Sequence, residues 1–237
     1  MEQNTANLPR HIAIIPDGNR RWARAQGKKS SEGHAVGAAN LEKLIRKAHE
    51  MKIYALSFWG ASLENLVRRP LEERRALLRI YEQYFTRLAD SKEIHDNGVR
   101  IAIIGHWEER FPESLRHILQ KCIEQTKHYT QHLLTFFMAY SGDDEMVLAI
   151  GKMVKKYTVA SDITKETIKQ HLMTKDLPPV DLLIRTGGEP HLSAGFMMWD
   201  VANAQLFISE KYFPDFGPEA LSEAIAEYQR RERRLGK

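Results

Sequence analysis

Cysteine and long apolar runs are the two features that this 237-residue chain has least of. Its single cysteine, Cys122, excludes an intrachain disulfide, and in a predicted helix it is expected to pack in the core. No apolar run approaches the ~20 residues that a membrane-spanning helix needs, and no signal-like apolar segment follows Met1. These absences predict a soluble, cytoplasmic protein whose contact with a membrane, if any, is peripheral.

The composition is typical of one globular domain. With 43% hydrophobic residues, the chain can bury one sizeable core. It shows no repeat, low-complexity stretch or internal linker, and only residues 1–9 are expected to be disordered, which leaves 10–237 as the domain. The net charge of +4 suits an anionic ligand, an anionic membrane surface or a nucleic acid. Nucleic acid is the weakest of these because the basic residues lack interleaved aromatic platforms and a recognition-helix pattern.

The stretch HIAIIPDGNRRW at residues 11–22 is the most informative part of the sequence. Its apolar residues predict a buried strand, Asp17-Gly18-Asn19 is typical of a turn at the strand's end, and Arg20 begins a helix. In open α/β sheets, the crevice between a strand and the following helix binds anions. A carboxylate among so many phosphate-type donors indicates a divalent cation that itself lies on phosphates. We interpret this segment as a Mg²⁺-diphosphate site; the alternative is an ordinary Asp-Gly turn with arginines on a solvated helix face.

A second polar turn follows another apolar strand, in VDLLIRTGGEPHLS at residues 180–193. A guanidinium fork, hydroxyls and exposed backbone amides are the parts of a second phosphate cradle. They are supplied by Arg185, Thr186, Gly187, Gly188, Glu189 and Ser193. The alternative is a Gly-Gly turn in which Arg185 and Glu189 form a surface ion pair worth less than ~1 kcal/mol.

Strand and helix patterns alternate along the chain, which is typical of a mostly parallel sheet. After the first strand, further strands are predicted at 53–59, 99–104, 133–139, 181–184 and 204–208. Helices are predicted at 33–51, 70–95, 112–129, 143–157 and 164–173. The predicted fold is a single α/β domain with a central, mostly parallel, six-stranded sheet flanked by helices.

Together with further motifs, these two segments resemble the cis-prenyltransferase family, the Z-type prenyl diphosphate synthases that include undecaprenyl diphosphate synthase. The resemblance extends from about residue 11 to residue 236, with the motifs in the family's order. They are DGNRRWA at 17–23, GH at 33–34, SLEN at 62–65 with RP at 69–70, DLLIRTGGE at 181–189, FPDF at 213–216 and RERRLG at 231–236.

The resemblance implies an enzyme that condenses isopentenyl diphosphate with an allylic diphosphate, such as farnesyl or geranylgeranyl diphosphate, into a Z-polyprenyl diphosphate. Mg²⁺ is the implied cofactor, and the implied assembly is a homodimer that contacts a membrane surface transiently when product leaves. The alternative is a weakly active or non-catalytic subunit of a heteromeric prenyltransferase, which would keep the fold and lose the metal site.

The family's site residues carry over onto the matching positions. Asp17 is implied to be catalytic and to hold Mg²⁺ on the diphosphate, with Gln205 as a second metal ligand. Asn19 and Asn65 are the other implied catalytic residues, Asn19 to assist proton removal or to orient the departing group. The implied substrate-binding residues are Gly18, Arg20, Arg21, Trp22, His34, Ser62, Arg68, Arg69, Arg185, His191, Ser193, Arg234 and Gly236. The last two belong to a tail that is implied to reach the partner's active site.

Several positions depart from the family's pattern. Ser30 stands where a basic residue is usual, and one extra residue before Pro70 makes Arg68 and Arg69 compete for one role. His191 replaces an arginine that binds isopentenyl diphosphate, and a neutral imidazole offers one donor where guanidinium offers a charged fork. We expect weaker or pH-sensitive capture of that substrate, measurable as its Michaelis constant between about pH 6 and pH 8. A flat profile would count against His191.

The second metal position departs as well. Gln205 stands where the family usually has a glutamate, so its neutral carbonyl predicts weaker metal binding unless Asp200 or Glu189 compensates. A divergent but active member could tolerate such a change, which also admits a different allylic substrate or an altered product.

The resemblance also implies a hydrophobic tunnel for the growing chain, between the strand that ends near Trp59 and the long helix from Pro70. Candidate wall residues on that helix are Leu77, Ile80, Tyr81, Tyr84, Phe85 and Leu88. Plain helix-to-sheet packing is the alternative for each of them. Bulky residues near the tunnel's mouth and base indicate a shorter product. They are Phe58, Trp59, Phe136, Phe137 and Met138.

Overall fold

A parallel sheet organises the fold, and each strand in it is paired parallel to its neighbours. The computed structural model describes residues 7–231. In the spatial order β3-β4-β2-β1-β5-β6, the strands are β1 His11–Ile15, β2 Ala55–Ser62, β3 Val99–Ile104, β4 His132–Tyr140, β5 Leu182–Thr186 and β6 Gln205–Ser209. The six strands confirm the predicted α/β class, and the sheet is wholly parallel within these residues.

Helices connect the strands and cover both faces of the sheet. They are α1 Asn19–Ala25, α2 Ser30–Glu50, α3 Leu63–Arg68, α4 Leu71–Ala89, α5 Lys92–Asp96, α6 Trp107–Arg110, α7 Glu113–Thr126, α8 Gly142–Lys156, α9 Lys165–His171 and α10 Pro218–Arg230. A parallel sheet needs this alternation of strands and helices, because the chain must cross from the end of one strand back to the start of the next.

The long helix predicted at 70–95 is interrupted, so that prediction was wrong. Helix α4 ends at Ala89, and α5 begins at Lys92 after Ser91, which has extended backbone angles at the N-cap position. Serine is favoured at that position because its short polar side chain competes with helical hydrogen bonding.

Strand β2 runs to Ser62, three residues beyond its predicted end. Its register against β4 shifts between Trp59 and Ser62, which marks a β-bulge. On β4, Ala139 has a φ of 53°, in the left-handed region. Bulges re-aim side chains at the end of a strand, and this one lies where the chain turns into α3.

Apolar side chains cover both faces of the sheet, as expected when helices flank it. Strand β4 is buried from Leu133 to Tyr140. Within β4, the adjacent residues Phe136 and Phe137 belong to separate apolar clusters, because successive side chains of a strand point to opposite faces of the sheet. Cys122 is buried and donates from Sγ to the carbonyl oxygen of Phe85, which confirms its expected place in the core.

The folded chain begins before residue 10. Leu8 packs against the core and Pro9 is buried, although residues 1–9 are expected from the sequence to be disordered. Residues 1–6 lie outside the described residues. No helix within residues 7–231 is long and apolar enough to cross a membrane.

The strand order determines where a ligand can bind. β1 lies between β2 and β5, so the chain leaves the centre of the sheet in both directions. At such a switch point, the loops that follow neighbouring strands separate and leave a crevice at the carboxyl ends. Asp17 follows β1, Leu63 follows β2 and Gly187 follows β5, so three of the sequence motifs meet at this edge.

Candidate active site

A cleft of about 830 Å³ opens at the carboxyl ends of β1, β2 and β5. It brings together most of the predicted site residues. Those that line it are Asp17, Gly18, Asn19, Arg20, Arg21, His34, Ser62, Asn65, Arg69, Arg185, His191 and Ser193. Ser30, where the family usually has a basic residue, lines it as well.

The turn after β1 depends on glycine at position 18. Gly18 has a φ of +99°, which L-residues rarely adopt, and a Cβ there would lie 2.5 Å from Cδ1 of Tyr212. Next to it, Asn19 donates from Nδ2 to the carbonyl oxygen of Pro16, and its Oδ1 is buried against Gly37. These contacts hold the turn against α2, so the side-chain carbonyl of Asn19 is not presented to the cleft. Its expected catalytic role stays a prediction.

Asp17 lies where the two sequence motifs meet. Its Oδ1 accepts from the Gly18 backbone N–H at 2.6 Å and lies 3.3 Å from Nη2 of Arg21. Its Oδ2 accepts from Nη2 of Arg185 at 2.8 Å. The side chain is 32% exposed, so the carboxylate stays open to the cleft while two guanidinium groups hold it.

Arg185 is the anchor of the second cradle. It is buried, and its Nη1 donates to the carbonyl oxygen of His191 at 2.5 Å and to Oγ of Ser193 at 2.8 Å. Its Nε is buried and has no hydrogen-bond partner within the described residues. The alternative of a surface pair between Arg185 and Glu189 is wrong, since Glu189 instead lies 3.4 Å from Arg21.

Glu73 is a site residue that the sequence interpretation missed. Its Oε1 lies 2.6 Å from Nη1 of Arg69, 3.5 Å from Nε of Arg20 and 3.7 Å from Nε2 of His34. Arg69 lies just before α4, and its spacing of four residues from Glu73 is the one local signal for this ion pair. Glu73 therefore holds Arg69 and Arg20 by charge and lies beside the ring of His34.

His34 is neutral in this environment. Burial and the nearby Arg69 guanidinium lower the pKa of His34 to about 4. Its Nε2 lies 2.9 Å from Nη1 of Arg69, so the neutral ring accepts a hydrogen bond there.

Helix α3 positions the segment that follows β2. Ser62 is its N-cap, and its Oγ accepts from the backbone N–H of Asn65 at 3.0 Å. Arg68 is 78% exposed and does not line the cleft, and it pairs at 2.7 Å with Glu64, which does. Arg69, rather than Arg68, therefore lies at the cleft, and its expected role in substrate binding stays a prediction.

Three predicted residues are not at the cleft as expected. Trp22 donates from Nε1 to Oδ1 of Asp215 at 2.9 Å and does not line the cleft. Arg68 does not line the cleft, as described above. Gln205 pairs with Leu182 at the amino ends of β6 and β5, the opposite edge of the sheet from Asp17. Arg234 and Gly236 lie outside the described residues.

The position of Gln205 corrects the predicted metal pair. Gln205 begins its strand and Asp17 follows the end of its strand. Because the strands are parallel, the two residues lie at opposite ends of the sheet, and within one chain they cannot share an ion. Asp200 cannot compensate, because it is buried, bonded to Lys169, and its backbone carbonyl accepts from Val180, just before β5. Within residues 7–231, no three His, Cys, Asp or Glu side chains are grouped to hold a metal ion.

The rear of the cleft is apolar. Leu77 and Tyr81 line it beside Gly60, and the Tyr81 hydroxyl donates to the Gly60 carbonyl oxygen at 2.6 Å. The other bulky residues predicted for a tunnel wall at Tyr84, Phe85 and Leu88 are buried in the core instead.

Comparisons with known proteins agree with this geometry. The prenyltransferase family model, which describes undecaprenyl diphosphate synthases, matches residues 15–236. A tritrans,polycis-undecaprenyl-diphosphate synthase of Pyrococcus abyssi, described as geranylgeranyl-diphosphate specific, is 36% identical over 234 residues, 97% of this chain and 88% of its own. A ditrans,polycis-undecaprenyl-diphosphate synthase of Vibrio vulnificus, described as (2E,6E)-farnesyl-diphosphate specific, is 38% identical over 236 residues, 98% of this chain and 92% of its own.

A solved structure has the same fold. Lavandulyl diphosphate synthase from Lavandula x intermedia, crystallised in complex with dimethylallyl diphosphate, superposes with a TM-score of 0.89. It is 32% identical, and the match covers 97% of this chain and 99% of that one. Because the family model and these relatives match nearly the whole chain, the protein belongs to the undecaprenyl diphosphate synthase family, the cis-prenyltransferases, and is an enzyme of prenyl transfer.

Proposed function

We propose that this protein extends an allylic diphosphate with isopentenyl diphosphate and releases a Z-polyprenyl diphosphate. One observation carries the proposal: Asp17 lies between the two arginine cradles, in ion-pair contact with Arg21 and Arg185. Two diphosphates bound in these cradles would face each other across one carboxylate. Relatives described as specific for farnesyl or geranylgeranyl diphosphate support this class of primer.

Each cradle has its own substrate in this proposal. Arg20 and Arg21 stabilise the negative charge that grows on the allylic diphosphate as its C–O bond breaks. Arg185, held by Ser193, binds the diphosphate of isopentenyl diphosphate and sets its double bond towards the allylic carbon. The new C–C bond forms there, and the isopentenyl unit loses one proton, which balances the step. Asn65, which is exposed on α3 and lines the cleft, would contact the substrate in this proposal.

Mg²⁺ fits the cleft through Asp17. One carboxylate together with substrate phosphates and water is a usual Mg²⁺ environment, and the Asp17 side chain is open to the cleft. When bound, the ion would neutralise charge on the departing diphosphate. Of the two acidic residues expected to compensate for Gln205, Glu189 is the one near the cleft, beside Arg21.

A direct assay tests the proposal. Purified protein is incubated with Mg²⁺, labelled isopentenyl diphosphate and, in separate reactions, dimethylallyl, farnesyl or geranylgeranyl diphosphate. We expect an extended product from at least one primer, and none when Mg²⁺ is chelated. Absence of product from every primer would favour an accessory subunit.

The accessory role is the second candidate because two replacements weaken the predicted machinery. Gln205 lacks the family's carboxylate, and His191 lacks the family's guanidinium. Against it, the DGNRRW stretch is complete, and the contacts of Asp17 described above assemble within one chain. Activity of the chain alone, compared with activity in the presence of a second subunit, separates the two.

We also propose that the protein is a homodimer. Helix α8 exposes Val147 and Val154, at 68% and 74%, with Ile150 between them. On the outer strand β6, Leu206 is half exposed. Apolar patches of this kind mark partner surfaces, and a second copy is the partner that the family resemblance implies. A cytoplasmic location with brief membrane contact during release of the apolar product completes the proposal.

A further inference from the structure

The loop that carries Ser193 into the cleft has an unfavourable backbone conformation. Ala194 and Met197 have φ values of 45° and 50°, in the left-handed region, and Gly195 adds a third positive φ of 59°. Such angles are unfavourable for residues other than glycine and persist only where surrounding contacts impose them. Because Ser193 and Ala194 line the cleft, the contacts that hold this loop also decide where the Ser193 hydroxyl lies.

A close backbone contact outside the cleft holds the loop against the start of α8. This helix begins at Gly142, and a Cβ placed there would lie 1.8 Å from the carbonyl oxygen of Gly195. The same oxygen accepts from the backbone N–H of Met198 at 2.9 Å, within the loop's own turn. A side chain at position 142 would overlap this oxygen, so the contact requires glycine. Gly142 is buried and does not line the cleft.

The side chain of Phe196 anchors the same loop in the core. It is fully buried, and its ring lies 5.4 Å from that of Trp59, 5.0 Å from that of Phe137 and 6.2 Å from that of Tyr140, measured between centroids. The Tyr140 hydroxyl donates to Oε2 of Glu145, on α8, at 2.6 Å. These rings therefore tie the loop to β2, to β4 and to the first turns of α8.

The position of this loop sets the guanidinium group of Arg185. Nη1 of Arg185 donates to the carbonyl oxygen of His191 and to Oγ of Ser193, which both precede Ala194 directly in the chain. Its Nη2 donates to Asp17. A displacement of the loop would move two of these three acceptors and with them the fork that faces the second cradle.

We propose that Gly142 and Phe196 are positioning residues for isopentenyl diphosphate. They hold the loop that places Ser193 and Arg185, and neither of them lines the cleft. The inference rests on the proposed function and adds how its second substrate is placed, through a glycine contact at the start of α8 and a cluster of aromatic rings. Because α1 carries the arginines of the allylic cradle, a shift of the loop changes the capture of one substrate only.

Alanine at position 142 tests the inference. Gly142→Ala forces the loop away from α8, whereas Gly151→Ala is the matched control, since it lies on the same helix and an added Cβ there meets no atom within 4 Å. Phe196→Leu removes the ring contacts, and Phe216→Leu is its control, equally buried in the apolar cluster on the other face of the sheet. KM is measured for each substrate, the Kd of isopentenyl diphosphate by calorimetry, and folding by urea unfolding.

We expect Gly142→Ala and Phe196→Leu to raise the KM and the Kd of isopentenyl diphosphate about 10-fold, with less than about a twofold change in the KM of the allylic diphosphate, because a binding group misplaced by about 1 Å loses much of its effect. Both controls should match wild type.

An unchanged KM for isopentenyl diphosphate in folded Gly142→Ala protein, or an equal rise for both substrates, would overturn the inference and leave the proposed function standing. Phe196→Leu decides in the same way if Gly142→Ala does not fold. No wild-type product from any primer would overturn the proposed function, whereas the calorimetric Kd would still test the placement of the loop.

Discussion

At the scale of single residues, the carboxylates of the cleft form ion pairs with its arginines. The Asp17 carboxylate holds Arg21 and Arg185, and the Glu73 carboxylate holds Arg69. Each acid keeps its guanidinium groups in place at the cleft, so less side-chain ordering remains to be done on binding. The motifs predict the partners of Asp17, and the local spacing indicates the pair of Glu73 with Arg69. Packing of α4 against α2 is what brings Glu73 to His34 as well.

Removal of the Asp17 charge tests the centre of the site. Asp17→Asn keeps the shape and one acceptor but cannot neutralise the two arginines or hold Mg²⁺. We expect kcat to fall by about 10²–10³-fold, the loss usual for a group that stabilises transition-state charge, with a smaller change in KM. Steady-state kinetics with both substrates measure this. Asp215→Asn, which alters a carboxylate bonded to Trp22 outside the cleft, is the control and should leave kcat little changed.

Burial of His34 predicts an effect of pH on stability. Its folded-state pKa, lowered to about 4 from 6.5, means that the unfolded chain binds the proton first as the pH falls. The contribution of His34 is therefore complete above about pH 6.5 and is lost as the pH falls towards 4. His11, whose pKa is also lowered by burial, adds in the same direction.

Urea unfolding at pH 7 and pH 5 measures this effect. We expect the wild type to lose free energy of unfolding between these values, and His34→Gln, which cannot titrate there, to lose less. An equal loss in both proteins would exclude His34 as a source of the pH dependence.

At the scale of elements, α3 is the least secured part of the site. It has six residues and is held at its start by the Ser62 hydroxyl. So short a helix has little intrinsic stability. The cap and the burial of Leu66 therefore decide whether Asn65 and Arg69 stay at the cleft.

Ser62→Ala should loosen this element. Loss of an N-cap hydroxyl costs about 1 kcal/mol, and we expect faster hydrogen exchange of the Asn65 amide together with a raised KM for the allylic substrate. Thr164→Ala removes the equivalent cap of α9, where Oγ1 of Thr164 accepts from the Thr167 N–H. It should cost similar stability without moving KM. A matching rise in KM for both variants would assign the effect to general destabilisation.

At the scale of the whole molecule, the central strands of the parallel sheet pair on both sides, whereas β6 pairs on one side only and forms an outer edge. The apolar face of α8 is exposed in the single chain, although α8 packs on α9 along its other side. Exposed edges and apolar helix faces favour association with a further chain.

Charge placed on α8 should disrupt a homodimer. We expect wild type to sediment as a dimer, and Val154→Glu with Ile150→Glu to shift the equilibrium to monomers, because two carboxylates would be buried without partners. Val67→Glu changes a similarly exposed valine on α3 and should leave the dimer intact. Monomeric wild type by analytical ultracentrifugation would contradict the proposed assembly.

The sequence by itself determined the α/β class, the two phosphate-cradle motifs and the family, because strand-helix alternation and turn chemistry are local properties of neighbouring residues. Only the tertiary structure decided which side chains meet. It separates Gln205 from Asp17 and places Arg69, rather than Arg68, at the cleft. It also brings Glu73 to the arginines and places Phe136 and Phe137 on opposite faces of the sheet. These outcomes follow from strand order, strand direction and helix packing, which bring together residues far apart in the chain and which local patterns do not encode.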